Sequence, residues 1–436
     1  MIAAALRTLE LDAVPLATPT GRLVGASGLL LESAGCRLHT GQRCQIETVN
    51  GDWLDAQVVG FRDKISYLMP FKAASGMTTG ARVQPLPDKA SLRIGPSWLG
   101  RMVNGLGEPI DELGELGGDH VLDSAPPKVH PLRKTPVTEV LDVGVRAINA
   151  MLTLGKGQRV GLMAGSGVGK SVLLGLLTRQ TVADVVVVGL IGERNREVRE
   201  FVEMSLGADG LKKAVLVIAP ADESPLMRIM ATDLCHAIAA HYRDQGQHVL
   251  LLVDSLTRYA MALREMGLAL GEPPATKGYP PSVFSRLPQL VESAGNGERP
   301  DGSMSAIYTV LAEGDDQQDP VVDTARAILD GHIVLTRELA ERGHYPAIDI
   351  AASISRCMNQ VIGQPQMEAA RALKASQARH ARVRDLIPLG AYAPGADPLT
   401  DRAVALQPRI DDFLRQGTRE AAPFAPCLAQ LEALMA

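Results

Sequence analysis

The sequence predicts an α/β protein in three parts: an N-terminal β-barrel, a central domain built on a mostly parallel sheet, and a C-terminal helical domain. Three observations predict this. Short β-like runs at even spacing fill 21–87, continuous apolar runs alternate with helical stretches through 134–345, and the pattern after about Gln360 is helical. A chain of 436 residues is too long for one ordinary domain, and 46% hydrophobic residues are ample for sizeable cores.

In the first part the runs are Leu29-Leu30-Leu31, Cys44-Gln45-Ile46-Glu47-Thr48-Val49, Val58-Val59-Gly60-Phe61 and Ile65-Ser66-Tyr67-Leu68. Asn50-Gly51 falls between two of them and supplies the positive φ angles of a type I′ turn, so it predicts a hairpin. Even spacing predicts closure into a small barrel spanning 21–92, preceded by an N-terminal segment, 1–20. A Pro/Gly-rich connector, 93–133, follows, with Gly105-Leu106-Gly107-Glu108-Pro109 and Ala125-Pro126-Pro127.

The central domain, 134–358, carries the runs Val160 to Met163, Val185 to Ile191, Val215 to Ile218, Val249 to Val253 and Ile307 to Leu311. They are continuously apolar rather than alternating, as strands covered by helices on both faces are. The C-terminal domain, 359–436, has helical runs from Met367 to Leu386 and from Asp401 to Gln416, separated by the turn-rich Gly390-Ala-Tyr-Ala-Pro-Gly-Ala-Asp-Pro.

Composition narrows the function classes. Lys plus Arg number 44 against 49 Asp plus Glu, a net charge of -5, and there are only 2 Trp, 7 Tyr and 6 Phe. Neither a global basic charge nor a supply of stacking aromatics favours nucleic acid. The start lacks a basic n-region followed by an apolar run, and no uncharged apolar stretch of about 18 residues occurs, so a cytoplasmic protein is expected. The five cysteines (Cys36, Cys44, Cys235, Cys357, Cys427) form no metal or redox spacing and read as reduced packing residues. His236 and His241, five apart, fall on different helix faces and not on zinc-site geometry.

The strongest chemical signal is Ala164-Gly165-Ser166-Gly167-Val168-Gly169-Lys170-Ser171, between an apolar strand and a helix-capable run from Val172 to Gln180. Glycines let backbone N–H groups wrap a phosphate, Lys170 can neutralise β- and γ-phosphate oxygens, and Ser171 offers a hydroxyl to Mg²⁺. Ala164 stands where the motif's first glycine is expected. Asp254, ending the run Leu250 to Val253, can hold a Mg²⁺ water shell, or it can cap the next helix. Glu193, in Gly192-Glu193-Arg194 at the end of the Val185 run, is placed to polarise an attacking water; its alternative is a solvated loop acid.

Six further segments extend the reading: Gly192-Glu-Arg-Asn-Arg-Glu-Val-Arg-Glu, Ala221-Asp-Glu-Ser-Pro-Leu-Met-Arg, Lys277-Gly-Tyr-Pro-Pro-Ser-Val-Phe, Glu313-Gly-Asp-Asp-Gln-Gln-Asp-Pro, Leu329-Asp-Gly-His-Ile-Val-Leu and Gly343-His-Tyr-Pro-Ala-Ile-Asp-Ile. With them the chain resembles the ATPases of type III protein export, relatives of the catalytic subunit of rotary ATP synthases. The match runs from the barrel to Phe413-Leu-Arg-Gln, and Gln317-Gln318-Asp319-Pro320 and Lys277-Gly-Tyr-Pro-Pro look like the flagellar branch.

The resemblance implies a RecA-like central domain, ATP and Mg²⁺ as cofactors, and hydrolysis of ATP by a homohexamer. It implies nucleotide contacts from Ala164 to Val172 and from Arg194, Glu193 as the catalytic carboxylate, and Ser171 and Asp254 at the metal. Tyr345 is implied to pack near the adenine, and Arg356, in Ile354-Ser355-Arg356, to act as a finger on the γ-phosphate of the neighbouring subunit. From the residues alone, Tyr345 fits a core position and Arg356 an exposed helix-cap cation equally. Ala351 departs from the acid that relatives commonly carry there. The implied partners are a peripheral-stalk-like regulator at the N-terminus, a central-stalk-like protein, an export gate and chaperone–cargo complexes, with peripheral association at a membrane apparatus and no nucleic acid.

Alternative functions are an injectisome ATPase, a rotary synthase catalytic subunit and an RNA translocase of the transcription-terminator (Rho-like) type. Lys374, Arg379, His380, Arg382 and Arg384 occupy the region where synthases carry an acidic lever. Gly21 to Pro87 holds only Trp53, Phe61, Tyr67 and Phe71 as stacking aromatics, interleaved with acids, which disfavours RNA.

Overall fold

The computed structural model describes residues 19–87, 92–122, 129–165, 167–299, 301–311, 319–395 and 397–436. The segment 1–18, Ala125-Pro126-Pro127 and the stretch from Glu313 to Gln318, including the Gln317-Gln318 pair, lie outside them. Two compact units are present: one holds the barrel with Glu223–Leu226 and Glu265–Pro273, the other the remainder of the chain.

The barrel is closed and antiparallel, in the order Gly21–Ser27, Leu30–Ala34, Ile65–Pro70, Trp53–Arg62, Arg43–Glu47, Arg82–Pro85. Side chains alternate across each strand, and the inward set, including Leu23, Leu31, Ile46, Val58, Leu68 and Val83, makes its own small core. The Asn50-Gly51 hairpin forms, but not as a type I′ turn. Five residues, 48–52, join Arg43–Glu47 to Trp53–Arg62, and the Gly51 N–H donates to the Thr48 carbonyl at 3.0 Å. Only Gly51 has a positive φ, +85°. A loop of this length is built around an ordinary turn closed by one left-handed residue, and glycine occupies it without strain.

The central sheet has eight strands in the order Ile348–Ser355, Gly331–Leu335, Arg159–Ala164, Ser303–Leu311, His248–Asp254, Val185–Ile191, Ala214–Ala219, Met102–Val103. All neighbours run parallel except Ile348–Ser355, which is antiparallel on the edge. Every residue of Val185–Ile191 and Ala214–Ala219 is buried, as the continuous apolar runs predict. Met102–Val103 lies within 93–133, the stretch read as a connector, and adds the far edge strand. Two residues paired on a sheet edge leave no periodicity in sequence.

After the short helix Met358–Val361, the described residues form three longer ones: Gln364–Val383, Pro398–Leu414 and Phe424–Met435. Asp397 caps Pro398–Leu414, its carboxylate accepting from the Leu399 N–H, with Pro398 in the first turn. Their buried faces, among them Leu373, Ile410, Phe413 and Leu431, join the same apolar cluster as Leu162, Leu173 and Val188 around the sheet. Among the described residues no helix is long and apolar enough to cross a membrane, and no group of His, Cys, Asp and Glu has metal-binding geometry. All five cysteines are free, and burial pushes the Cys44 thiol up to about 12.

His236 is buried on the helix Pro225–Asp244. Its Nδ1 faces the Thr232 carbonyl at 2.9 Å, so that nitrogen carries the proton, and Nε2 accepts from the Tyr308 hydroxyl at 2.9 Å. Burial pushes its pKa down to about 4 from 6.5, against the pull of the Thr232 hydrogen bond. Between those values the unfolded chain binds the proton and the folded one does not, so stability falls as pH drops through the window. The loss approaches about 3 kcal/mol at pH 4. Thermal melts of the parent and of His236→Asn from pH 7 to pH 4 check this: the variant should start lower and slope less, and equal slopes would exclude His236 as the source.

Candidate active site

The central strand order brings the carboxyl ends of Arg159–Ala164, Ser303–Leu311, His248–Asp254 and Val185–Ile191 side by side, the edge where open α/β sheets bind ligands. Arg159–Ala164 leads into the phosphate-loop motif, and the helix Lys170–Gln180 leaves it. Gly167 and Gly169 have φ of +80° and +91°, a conformation that other residues resist. Ala164 is the last residue of the strand and is buried, so that position makes no demand for glycine. Ser166 lies outside the described residues. Val168 points inward, whereas Ser171 and Val172 stand exposed on the first helical turn. This helix start presents free N–H groups and the positive end of its dipole.

Lys170 Nζ donates to Asp254 Oδ1 at 2.7 Å and to Glu193 Oε1 at 3.1 Å. Burial opposes its charge, yet the two carboxylates hold its pKa above the ordinary lysine value. Burial raises Asp254, with Lys170 opposing and Glu193 adding to the rise. Glu193 is likewise raised, first by burial; Lys170 opposes and Glu197 adds to the rise. Among the described residues two acids share one lysine in this desolvated site and are one cation short, which is the arrangement a phosphate-bound metal would balance.

Gly192, at φ +69°, turns the chain after Val185–Ile191 to aim Glu193. A Cβ there would meet the Arg258 side chain at 2.8 Å. Arg194 points away: its side chain is 83% exposed and pairs with Glu197 at 3.7 Å. The Tyr345 ring lies against the loop, 3.5 Å from where a Gly169 Cβ would be, and the Tyr345 carbonyl accepts from the Gln416 N–H at 2.9 Å. Tyr345 is thus a half-exposed wall of the loop and not a core residue.

Arg356 is elsewhere in its own chain. It follows the antiparallel edge strand, whose Ser355 pairs with Gly331 at the amino end of Gly331–Leu335. That level is about 13 Å down the sheet from the phosphate loop, and two strands across. There its N–H donates to the Asp330 carbonyl and its Nη2 to the Arg326 carbonyl.

Two site residues escaped the sequence reading. Thr309 Oγ1 donates to Asp254 Oδ1 at 2.5 Å; its one signal is a hydroxyl inside the apolar run Ala306-Ile-Tyr-Thr-Val-Leu. Arg258, four residues after Asp254, covers Gly192, and among the described residues its buried Nε has no hydrogen-bond partner.

Known proteins resemble this chain along nearly its whole length. Residues 144–355 match the nucleotide-binding domain of the ATP synthase alpha/beta family, and residues 362–433 the T3SS EscN ATPase C-terminal domain. The chain is 53% identical over 419 residues to the flagellum-specific ATP synthase of Pseudomonas aeruginosa, covering 95% of this chain and 93% of that one. It is 52% identical to that of Salmonella typhimurium, covering 96% and 94%. Among solved structures, the assembled ATPase EscN of the enteropathogenic E. coli type III secretion system superposes with a TM-score of 0.89 at 40% identity, covering 95% of this chain and all of that one. EscN in complex with its central stalk EscO gives 0.85 over the same shares. With a phosphate loop, two strand-end carboxylates and these relatives along nearly its whole length, the chain belongs to the ATP synthase alpha/beta family, among the flagellum-specific ATP synthases.

Proposed function

We propose that this chain hydrolyses Mg-ATP as a homohexameric motor and thereby energises export of flagellar proteins through a type III secretion apparatus. The observation that carries the reading is Lys170 held between Glu193 and Asp254 at the mouth of the phosphate loop. The flagellar branch is favoured over the injectisome by identity, 53% and 52% against 40% for EscN.

The donor set suits magnesium: Ser171 offers a hydroxyl and Asp254 a buried carboxylate, both hard oxygens, and both hydrogen bonds to Asp254 among the described residues fall on Oδ1. The metal when bound supplies positive charge against the β- and γ-phosphates. Lys170 releases its two carboxylates and meets the phosphate oxygens, while the N–H groups of 165–169 wrap them. Freed of Lys170, Glu193 is the base that orients and polarises the attacking water. Tyr345 offers a ring face for the adenine, beside Val172, and Arg258 is a second cation within reach of the Glu193 turn.

Arg356 stands too far from its own loop to act there, which supports its service in the neighbour's site. The assembled EscN and its EscO complex support a ring with a central-stalk partner for this chain too. A peripheral-stalk-like regulator, an export gate and chaperone–cargo complexes complete the proposed partners, with cytoplasmic residence and peripheral membrane association. Specific hydrolysis rate against protein concentration tests the proposal. It should rise from near zero at dilution to a plateau as rings assemble, and a measurable rate that stays flat across the range would sink the shared site.

A further inference from the structure

We infer that Thr309 is a positioning residue for the metal-facing carboxylate, holding Asp254 in place when Lys170 leaves it for the phosphates. The inference rests on the ATPase reading above and adds a residue to it. Strand order is the starting point: Ser303–Leu311 lies between the strand that ends in the phosphate loop and the strand that ends in Asp254. Thr309 pairs in register with Leu162 on one side, and Tyr308 with Val253 on the other. The Thr309 side chain is wholly buried, and its hydroxyl donates to Asp254 Oδ1 at 2.5 Å, the same oxygen that Lys170 Nζ reaches at 2.7 Å.

Asp254 therefore has two donors on one oxygen, and they differ in permanence. Lys170 sits on a long flexible stem and must move to meet phosphate; Thr309 is β-branched, stiff at χ1 and fixed in a central strand. The opposite face of that strand is pinned as well, by the Tyr308 hydroxyl bonded to His236 Nε2 at 2.9 Å. With Lys170 gone, the Thr309 hydroxyl is the donor that keeps Oδ1 occupied and so leaves Oδ2 to the metal's water shell. A buried carboxylate with one fixed donor keeps one orientation; with none it can rotate about its terminal torsion, which is broad.

Nucleotide binding separates this role from a merely structural one. The full chain is titrated with a fluorescent ADP analogue in EDTA and again in excess Mg²⁺, for the parent, Thr309→Val and Thr309→Ser, with thermal melts run on each. Thr309→Val should bind in EDTA within about twofold of the parent. It should lose about tenfold of the affinity that Mg²⁺ adds, the scale of one hydrogen bond to a charged group. Thr309→Ser, which keeps the hydroxyl, should recover most of that gain. Should the valine variant fold poorly, Thr309→Ala removes the same hydroxyl and must give the same split. An unchanged Mg²⁺ gain without the hydroxyl overturns the inference, and so does an equal loss in EDTA and in Mg²⁺, which would mark a core residue. A parent that binds ADP with no Mg²⁺ gain would instead overturn the metal reading beneath it.

Discussion

Glu193→Gln is expected to keep nucleotide binding and lose hydrolysis by about 10²- to 10⁴-fold, the usual contribution of a positioned general base, or ~3 to 5 kcal/mol of barrier. Glu193 is only 8% exposed, projects from a glycine-turned strand end, and its Oε1 lies 3.1 Å from Lys170 Nζ. The amide is isosteric and its oxygen can still accept from Lys170, so the loop and the fold should stay intact. What it cannot do is take a proton from water. Burial, with Glu197 nearby, raises the Glu193 carboxyl against the pull of Lys170, and a more basic carboxylate polarises water better. Fluorescent-nucleotide binding and phosphate release, measured on the same preparation, should therefore separate. Turnover within about tenfold of the parent, only ~1.4 kcal/mol of barrier, would remove Glu193 from the role.

How much of this was legible in sequence depended on whether the signal was local. The strand cores were legible because parallel strands buried on both faces become unbroken apolar runs, as in Val185 to Ile191. The phosphate loop was legible because its chemistry needs neighbouring residues: glycines where φ is positive, then a lysine at the helix start. Barrel strands Gly21–Ser27 and Arg82–Pro85 carry little signal in sequence, since each buries little more than one large side chain, Leu23 and Val83. Met102–Val103 is too short to show a period. Thr309 was invisible for a topological reason, since its contact with Asp254 exists only because Ser303–Leu311 inserts between two strands that precede it in the chain. The turn at Asn50-Gly51 departs from type I′ because the dipeptide sets a preference while the five-residue loop sets the geometry. Tyr345 and Arg356 drew their roles from family resemblance alone. The structure places Tyr345 on the loop and leaves Arg356 about 13 Å below it.

That separation makes a complementation experiment decisive. If Arg356 inserts into the neighbour's site, it acts on charge developing at the γ-phosphate. A finger of this kind is worth on the order of 10³ to 10⁵ in rate, ~4 to 7 kcal/mol. Arg356→Ala should bind ATP nearly normally and fail to hydrolyse it; among the described residues the guanidinium makes one solvent-exposed hydrogen bond, to the Arg326 carbonyl, so its loss should cost little stability. Lys170→Ala should fail for a different reason, because without its cation the loop holds phosphate weakly and leaves Glu193 and Asp254 facing each other unneutralised. Neither variant should hydrolyse ATP alone. Mixed, they form rings in which some interfaces join an intact loop from one chain to an intact Arg356 from the other, and those interfaces should hydrolyse ATP. A finger acting on its own chain's site predicts no recovery at any ratio, since every chain lacks one half of that site. Steady-state phosphate release is measured across mixing ratios, with ring assembly followed by light scattering. Random assortment makes the productive pairing most frequent near equal mixing, so the rate should peak there. Mixed rings that assemble and stay silent throughout would place the finger elsewhere.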